Sequence, residues 1–298
     1  MTASPVPREQ VLGGKIDDGE STEREAPREL IVIDGSTTWS RWWSDLVVYR
    51  GALRSLAWRN LRSRYKQATL GMTWAFLQPA VQVGVFTLVF GILAKVPSGG
   101  VPYPLFALAG LLPWNLFSRI MSDGAVSLVA NQNLITKLFF PRIYLVLAAG
   151  ASALLDALIT LTFLAAAMWY FGVAPGPLFL LALPALVGVL LLSYGLAALL
   201  SAINAQWRDV QHTLPFLLQI GLFVTPVLYR STFIPDRWRW LVELNPLTGL
   251  IEIFRGAMLG IPMPDARVLA ISLSVSVVVM VVGLWAFRRS EVAIVDVI

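Results

Sequence analysis

The sequence predicts an all-α polytopic membrane protein. Six transmembrane helices are expected, with an amphipathic interfacial helix before them and two short re-entrant helices before the last span. Three observations lead there. Of 298 residues, 57% are hydrophobic and 14% charged, against about 25% charged in soluble domains, and the mean hydropathy is +0.70. The apolar residues gather into runs of about 20, the length a helix needs to cross about 30 Å of hydrocarbon. The cations gather at the ends of alternate runs, as they do on the cytoplasmic side of membrane proteins. In lipid the backbone must pair internally, so helices are the default.

The elements follow in chain order. Residues 1–38 form a tail whose first 30 residues hold seven acids and four bases. It has no long apolar run, so it reads as disordered. It also lacks the basic and apolar regions of a cleaved leader, which places the N-terminus in the cytoplasm. Residues 39–66 read as one helix in the interface plane. Trp39, Trp42, Trp43, Leu46, Leu53 and Leu56 recur at helical steps, and Arg50, Arg54 and Arg62 tend to the other face.

The basic run Arg59, Arg62, Arg64 and Lys66 closes this helix and abuts 28 uncharged residues, 67–94. A nucleic-acid site would want an exposed basic face on a soluble domain. With Trp42 and Trp43, these cations read instead as anchors at anionic headgroups.

The spans are expected at about 70–94, 104–129, 143–171, 178–203, 211–229 and 267–287. Between the second and third lies ANQNLITKLFFPR, 130–142, apolar and basic together. Before the sixth lies 231–266, with two apolar stretches split by Asn245-Pro246. Each is too short to span, so a re-entrant pair over 232–259 is expected, with an outer amphipathic loop as the alternative. With both termini inside, the inner segments beyond the tail carry twelve cations and the outer ones six.

Several chemistries lack their residues. There is no Cys, and His212 is the single His, which excludes thiolate and multi-His metal sites. GxxxxGK[ST], HExxH and GxSxG are absent. The chain therefore holds no nucleotide in a phosphate loop and reads as no enzyme.

Within the spans, Arg119 and Asp156 are costly charges and natural partners for one another. Trp74, Gln78 and Gln82 follow at four-residue steps on one face of the first span. Phe216, Gln219 and Phe223, at a three- and then a four-residue step, likewise share a face on the fifth. Amides beside rings suit sugars, whose hydroxyls and faces they match. Interhelix hydrogen bonding with core aromatics accounts for the pattern equally well. The apolar inner segment 130–142, in a chain with no energy source of its own, suggests docking to a motor.

The stretches WRNLRSRYKQATLGMTWAFLQP (58–79), YPLFALAGLLPWNLF (103–117), SLVANQNLITKLFFPR (127–142), INAQWRDV (203–210) and LNPLTGLIEIFRGAML (244–259) closely resemble permease subunits of bacterial polysaccharide ABC exporters of the ABC-2 type. The resemblance covers about residues 39–288. It implies an inner-membrane homodimer that moves an undecaprenyl-linked polysaccharide such as O-antigen outward. It also implies two separate ATPase subunits, which would bind the ATP and Mg that this chain does not.

Carried over, the coupling helix lies at 131–141, with Asn133, Leu134, Thr136, Lys137, Phe139, Phe140 and Pro141 as ATPase contacts. The re-entrant helices carry Glu243, Glu252 and Arg255, and the aromatic-amide stripes become channel wall. The alternative is an ion-coupled carrier or flippase for lipid-linked sugars without a partner ATPase, leaning on Asp156 and Arg119.

Overall fold

The computed structural model describes residues 39–66, 73–138 and 140–297. The acidic tail, 1–38, lies outside the described residues, as do Phe139 and the side chains of Trp43, Lys66 and Trp74. Among the described residues all regular structure is helical.

The interfacial segment forms α1 (Trp39–Val48) and α2 (Arg50–Lys66), separated at Tyr49. The first span is α3 (Thr73–Phe86), continued by a π-helical stretch, Thr87–Leu93. Then come α4 (Tyr103–Ala125) and two single turns, α5 (Ser127–Ala130) and α6 (Gln132–Ile135). The third span is α7 (Ile143–Ala149) and α8 (Ala151–Phe171), separated at Gly150. A 3-10 turn, Phe179–Leu181, leads into α9 (Ala182–Gln206). The chain ends with α10 (Val210–Val224), α11 (Asp236–Glu243), α12 (Pro246–Leu259) and α13 (Ala266–Val297).

Among the described residues five helical stretches are long and apolar enough to cross a membrane: Phe76–Leu93, Tyr103–Ala125, Ile143–Phe171, Phe179–Gln206 and Ala266–Glu291. They fall on the first, second, third, fourth and sixth expected spans. The fifth differs. α10 stops at Val224, and its 15 residues reach only about 22 Å at 1.5 Å per residue. Pro226 is the local cause, because the residue before a proline is pushed out of the helical region. Thr225 accordingly adopts ψ 135°.

Two other expectations need adjusting. The regular helix in the 130–142 segment is the single turn Gln132–Ile135, with turn hydrogen bonds continuing to Leu138, rather than a helix over 131–141. Asn131, at φ −118°, lies outside helical space on one side, and Pro141 biases the chain away from helix on the other. Trp42, expected at headgroup depth, is buried at 6% exposure and belongs to the core.

The centre of the molecule is α4. Its buried residues run from Tyr103 to Ala125, and α3, α8, α9, α10 and α12 all pack on it. Opposite lies the α9–α13 pair, where Gly195 meets the Met280 backbone and Gly283 meets Gly195. A Cβ on Gly195 would sit 2.6 Å from the Met280 Cα, and one on Gly283 would strike the Gly195 carbonyl. Small residues thus let two membrane helices touch backbone to backbone, as dispersion-driven packing in lipid favours. By contrast α3 leaves Phe76, Leu77, Val81 and Val85 exposed, and the π-helical stretch after it leaves Leu88 exposed.

Candidate functional site

Polar side chains collect at the end of the fold where α2 lies across α7 and α8. Near the middle of the spans, α3, α4 and α8 enclose a cavity of about 150 Å³. Its polar lining is Gln78, Gln82, Asn115, Ser118, Arg119, Asp156 and Thr160. The Asn115 amide donates to Gln82 Oε1 at 3.0 Å. Gln82 therefore has the partner that an amide in hydrocarbon requires. Toward α2 a second cavity of about 280 Å³ is lined by Asn60, Ser63, Arg64, Arg119, Asp123 and Asn131, among others. Arg119 borders both, so the polar lining continues from α2 to the middle of α3.

The intramembrane charges are held differently from the sequence expectation. Asp156 on α8 is ion-paired with Arg64 at 2.8 Å, and Arg119 with Asp123 at 3.2 Å, one turn along α4. The pair proposed between Arg119 and Asp156 thus gives way to Arg64, which α2 delivers by folding back over α8. A carboxylate within a span needs such a partner. Arg64 was legible only as one cation of a basic run, because nothing in the linear sequence shows where α2 lies.

The same helix reaches the inner loop. Arg59 Nη2 donates to Asn131 Oδ1 at 2.7 Å, and Asn131 Nδ2 donates to the Ser127 carbonyl at 2.8 Å. Asn60 Nδ2 donates to the Ala148 carbonyl at 3.0 Å. α2 is therefore fastened by side chains to the start of the inner loop, to α7 and to α8. Of the basic anchors, Arg59 and Arg64 are turned to protein partners, while Arg62 stays exposed. Asn60 and Asn115 were not singled out from sequence. Polar residues on an otherwise apolar helix face are the signal that could have found them.

On the inner loop, Asn133, Thr136, Lys137 and Leu138 are exposed. Leu134, Phe140 and Pro141 are half-buried, and Ile135 and Phe140 pack on the core. An exposed polar and cationic rim around half-buried apolar residues is thus presented below α4 and α7.

The two aromatic-amide stripes do not meet within one chain. Gln78 and Gln82 face the cavity with α4 and α8, while Phe216, Gln219 and Phe223 are exposed on α10. Both helices pack on α4, where Gln82 meets Asn115 and Gly221 meets the Trp114 ring. Consecutive residues on a helix point about 100° apart, so α3 and α10 pack on neighbouring sides of α4, and the α10 stripe faces away from it.

At the opposite end, Glu243 is exposed on α11. Glu252 Oε1 accepts from the Ser231 backbone N–H at 2.8 Å, and Arg255 is buried at 2% exposure. Among the described residues no group of three His, Cys, Asp or Glu side chains is placed to hold a metal ion.

The family model for ABC-2 type transporters matches residues 51–259 of this chain. An O-antigen export system permease protein, RfbA, of Myxococcus xanthus is 32% identical over 259 residues, covering 84% of this chain and 96% of the relative. An RfbA permease of Klebsiella pneumoniae is 26% identical, covering 78% and 88%. The polysialic acid transport protein KpsM of Escherichia coli is 25% identical, covering 84% and 97%. The match runs from α2 through the polar cavities and the inner loop to the end of α12, and on it this chain belongs to the ABC-2 type transporter family of membrane proteins.

Proposed function

We propose that this chain is the permease subunit of an ATP-driven exporter that carries a lipid-linked polysaccharide, most simply an O-antigen-type glycan, outward across the bacterial inner membrane. The observation that carries this reading is the near full-length likeness to permeases named for O-antigen and polysialic acid. Two such chains would form the path, because the α3 and α10 faces are exposed in one copy and a hydrophilic glycan cannot cross about 30 Å of hydrocarbon without a lined way. The second copy would bring the stripes of α3 and α10 together.

ATP and Mg would be held by two separate ATPase subunits docked on the 131–141 loop. Arg59 and Asn131 then join that loop to α2, which leads into the first span, so motion at the ATPase reaches the path as rigid-body displacement. α10 with residues 225–229 would complete a sixth crossing, leaving α11 and α12 as the re-entrant pair and both termini cytoplasmic.

A gradient-driven carrier is less favoured. It would need an ionisable group available in the spans, whereas Arg119 and Asp156 are both engaged in ion pairs.

The test uses the permease purified with its ATPase in vesicles. Lys137→Glu combined with Phe139→Ala should abolish stimulation of hydrolysis by the permease and with it glycan export. Normal export by the assembled double variant would remove the docking role, and export that persists without the ATPase would remove ATP drive altogether.

A further inference from the structure

After α10 the chain leaves helical geometry over 225–230, before a 3-10 turn at Ser231–Phe233. Its backbone carbonyls there are taken up one after another by side chains of other elements. Arg255 on α12 donates through Nη1 to the Tyr229 carbonyl at 3.4 Å and through Nη2 to Pro226 at 3.3 Å and to Val227. The Tyr103 hydroxyl on α4 donates to the Leu228 carbonyl at 2.8 Å. Every carbonyl from 226 to 229 thus has a donor from α4 or α12. On either side, Asn245 donates to Thr225 Oγ1 at 3.1 Å, and Glu252 accepts from Ser231.

The guanidinium also lies over Phe106, 3.9 Å from the ring centroid. Gly110 makes the space, since a Cβ there would meet Arg255 Nη2 and the Val227 carbonyl. A fixed fork with five donors serves several carbonyls at once, where a lysine ammonium is a single point.

Irregular backbone at membrane depth is stable only where its polar groups find partners within the protein. A helix could satisfy these carbonyls by itself, whereas here three of them depend on one side chain from α12 and the fourth on Tyr103 of α4. We propose that Arg255 is a positioning residue that locks the unwound 225–230 segment to α4 and α12, and thereby holds the outer end of α10 in the closed position between transport cycles. This rests on the reading that α10 lines the glycan path. The lock joins three elements that are distant in sequence, α4, the end of α10 and α12, so its release would free α10 without disturbing the α9–α13 pair.

The experiment reconstitutes the whole permease–ATPase complex in vesicles and measures leakage of a small ion without ATP, alongside ATP-driven glycan export. For Arg255→Met in complexes assembled at wild-type yield, idle leakage should rise ~10-fold or more. That is the order of shift expected when one hydrogen bond to a charged group is lost from a two-state balance. Arg255→Lys should recover tightness only in part. Tyr103→Phe removes the Leu228 bond alone and should raise leakage by a smaller factor; it also serves as the deciding variant if Arg255→Met fails to assemble. Wild-type tightness in assembled Arg255→Met, or in Tyr103→Phe where Arg255→Met does not assemble, overturns the lock. If the wild-type complex exports no glycan, the functional reading fails instead, and the two failures are read from different signals.

Discussion

Replacing Arg64 by Ala removes the guanidinium from Asp156 in the middle of the spans. At 2.8 Å and an effective dielectric constant of about 20, the gross attraction is about 6 kcal/mol. Desolvation of the two ions offsets several kcal/mol of it. A net coupling of about 2 kcal/mol remains, within the range for hydrogen bonds to charged groups. Screening does not reduce it to the surface value of about 0–1 kcal/mol, because the side chains are only 23% and 30% exposed.

The measurement is a double-mutant cycle on thermal unfolding of the purified permease with Arg64→Ala, Asp156→Asn and the pair. Each single variant should lower the midpoint. The double variant should lose less than the sum, the recovered share being about 4–8 °C at about 2–4 °C per kcal/mol. Additivity within about 0.5 kcal/mol would show that the two groups do not stabilise one another, and would refute the argument that α2 is fastened to α8 by this pair.

Two further outcomes follow from packing. Gly283→Leu forces a side chain into the Gly195 backbone, and should cost at least about 3 kcal/mol, beyond the usual cost of overpacking; near-normal yield and midpoint would contradict the backbone contact. Because the chain contains no Cys, Phe216→Cys introduces a lone thiol on the exposed face of α10. Mild oxidation should then give a covalent dimer if α10 faces its counterpart across the path, and monomer alone would place α10 elsewhere.

Much of the fold was legible because lipid allows few solutions. Uncharged or nearly uncharged runs at 70–94 and 178–203 became helices close to their expected bounds, since a buried backbone in hydrocarbon has little alternative. The fifth helix ends at Val224, short of the expected 229, because an apolar run does not register that Pro226 turns Thr225 out of helical space or that Arg255 collects the carbonyls beyond it. The stripe Gln78 and Gln82 was readable as a shared face, yet its partner Asn115 sits on another helix. Asp156 was recognisable as a charge in need of a counterion. Choosing Arg64 over Arg119 required knowing where α2 lies, and that position is fixed by contacts such as Arg59 to Asn131 and Asn60 to the Ala148 carbonyl, 72 and 88 residues away in sequence. Trp42 was misplaced for a similar reason, since an aromatic at an interface and one in a core share the same local pattern.

The glycine crossing of α9 and α13 bears on how any movement is distributed. Where two backbones are in contact there is no layer of side chains to re-pack, and sliding one helix along the other would drive carbonyl into carbonyl. That half of the molecule behaves as a stator. The displacements of a working cycle then fall to the side that packs loosely, where α3 is exposed along most of its length and α10 ends in a tethered, irregular segment.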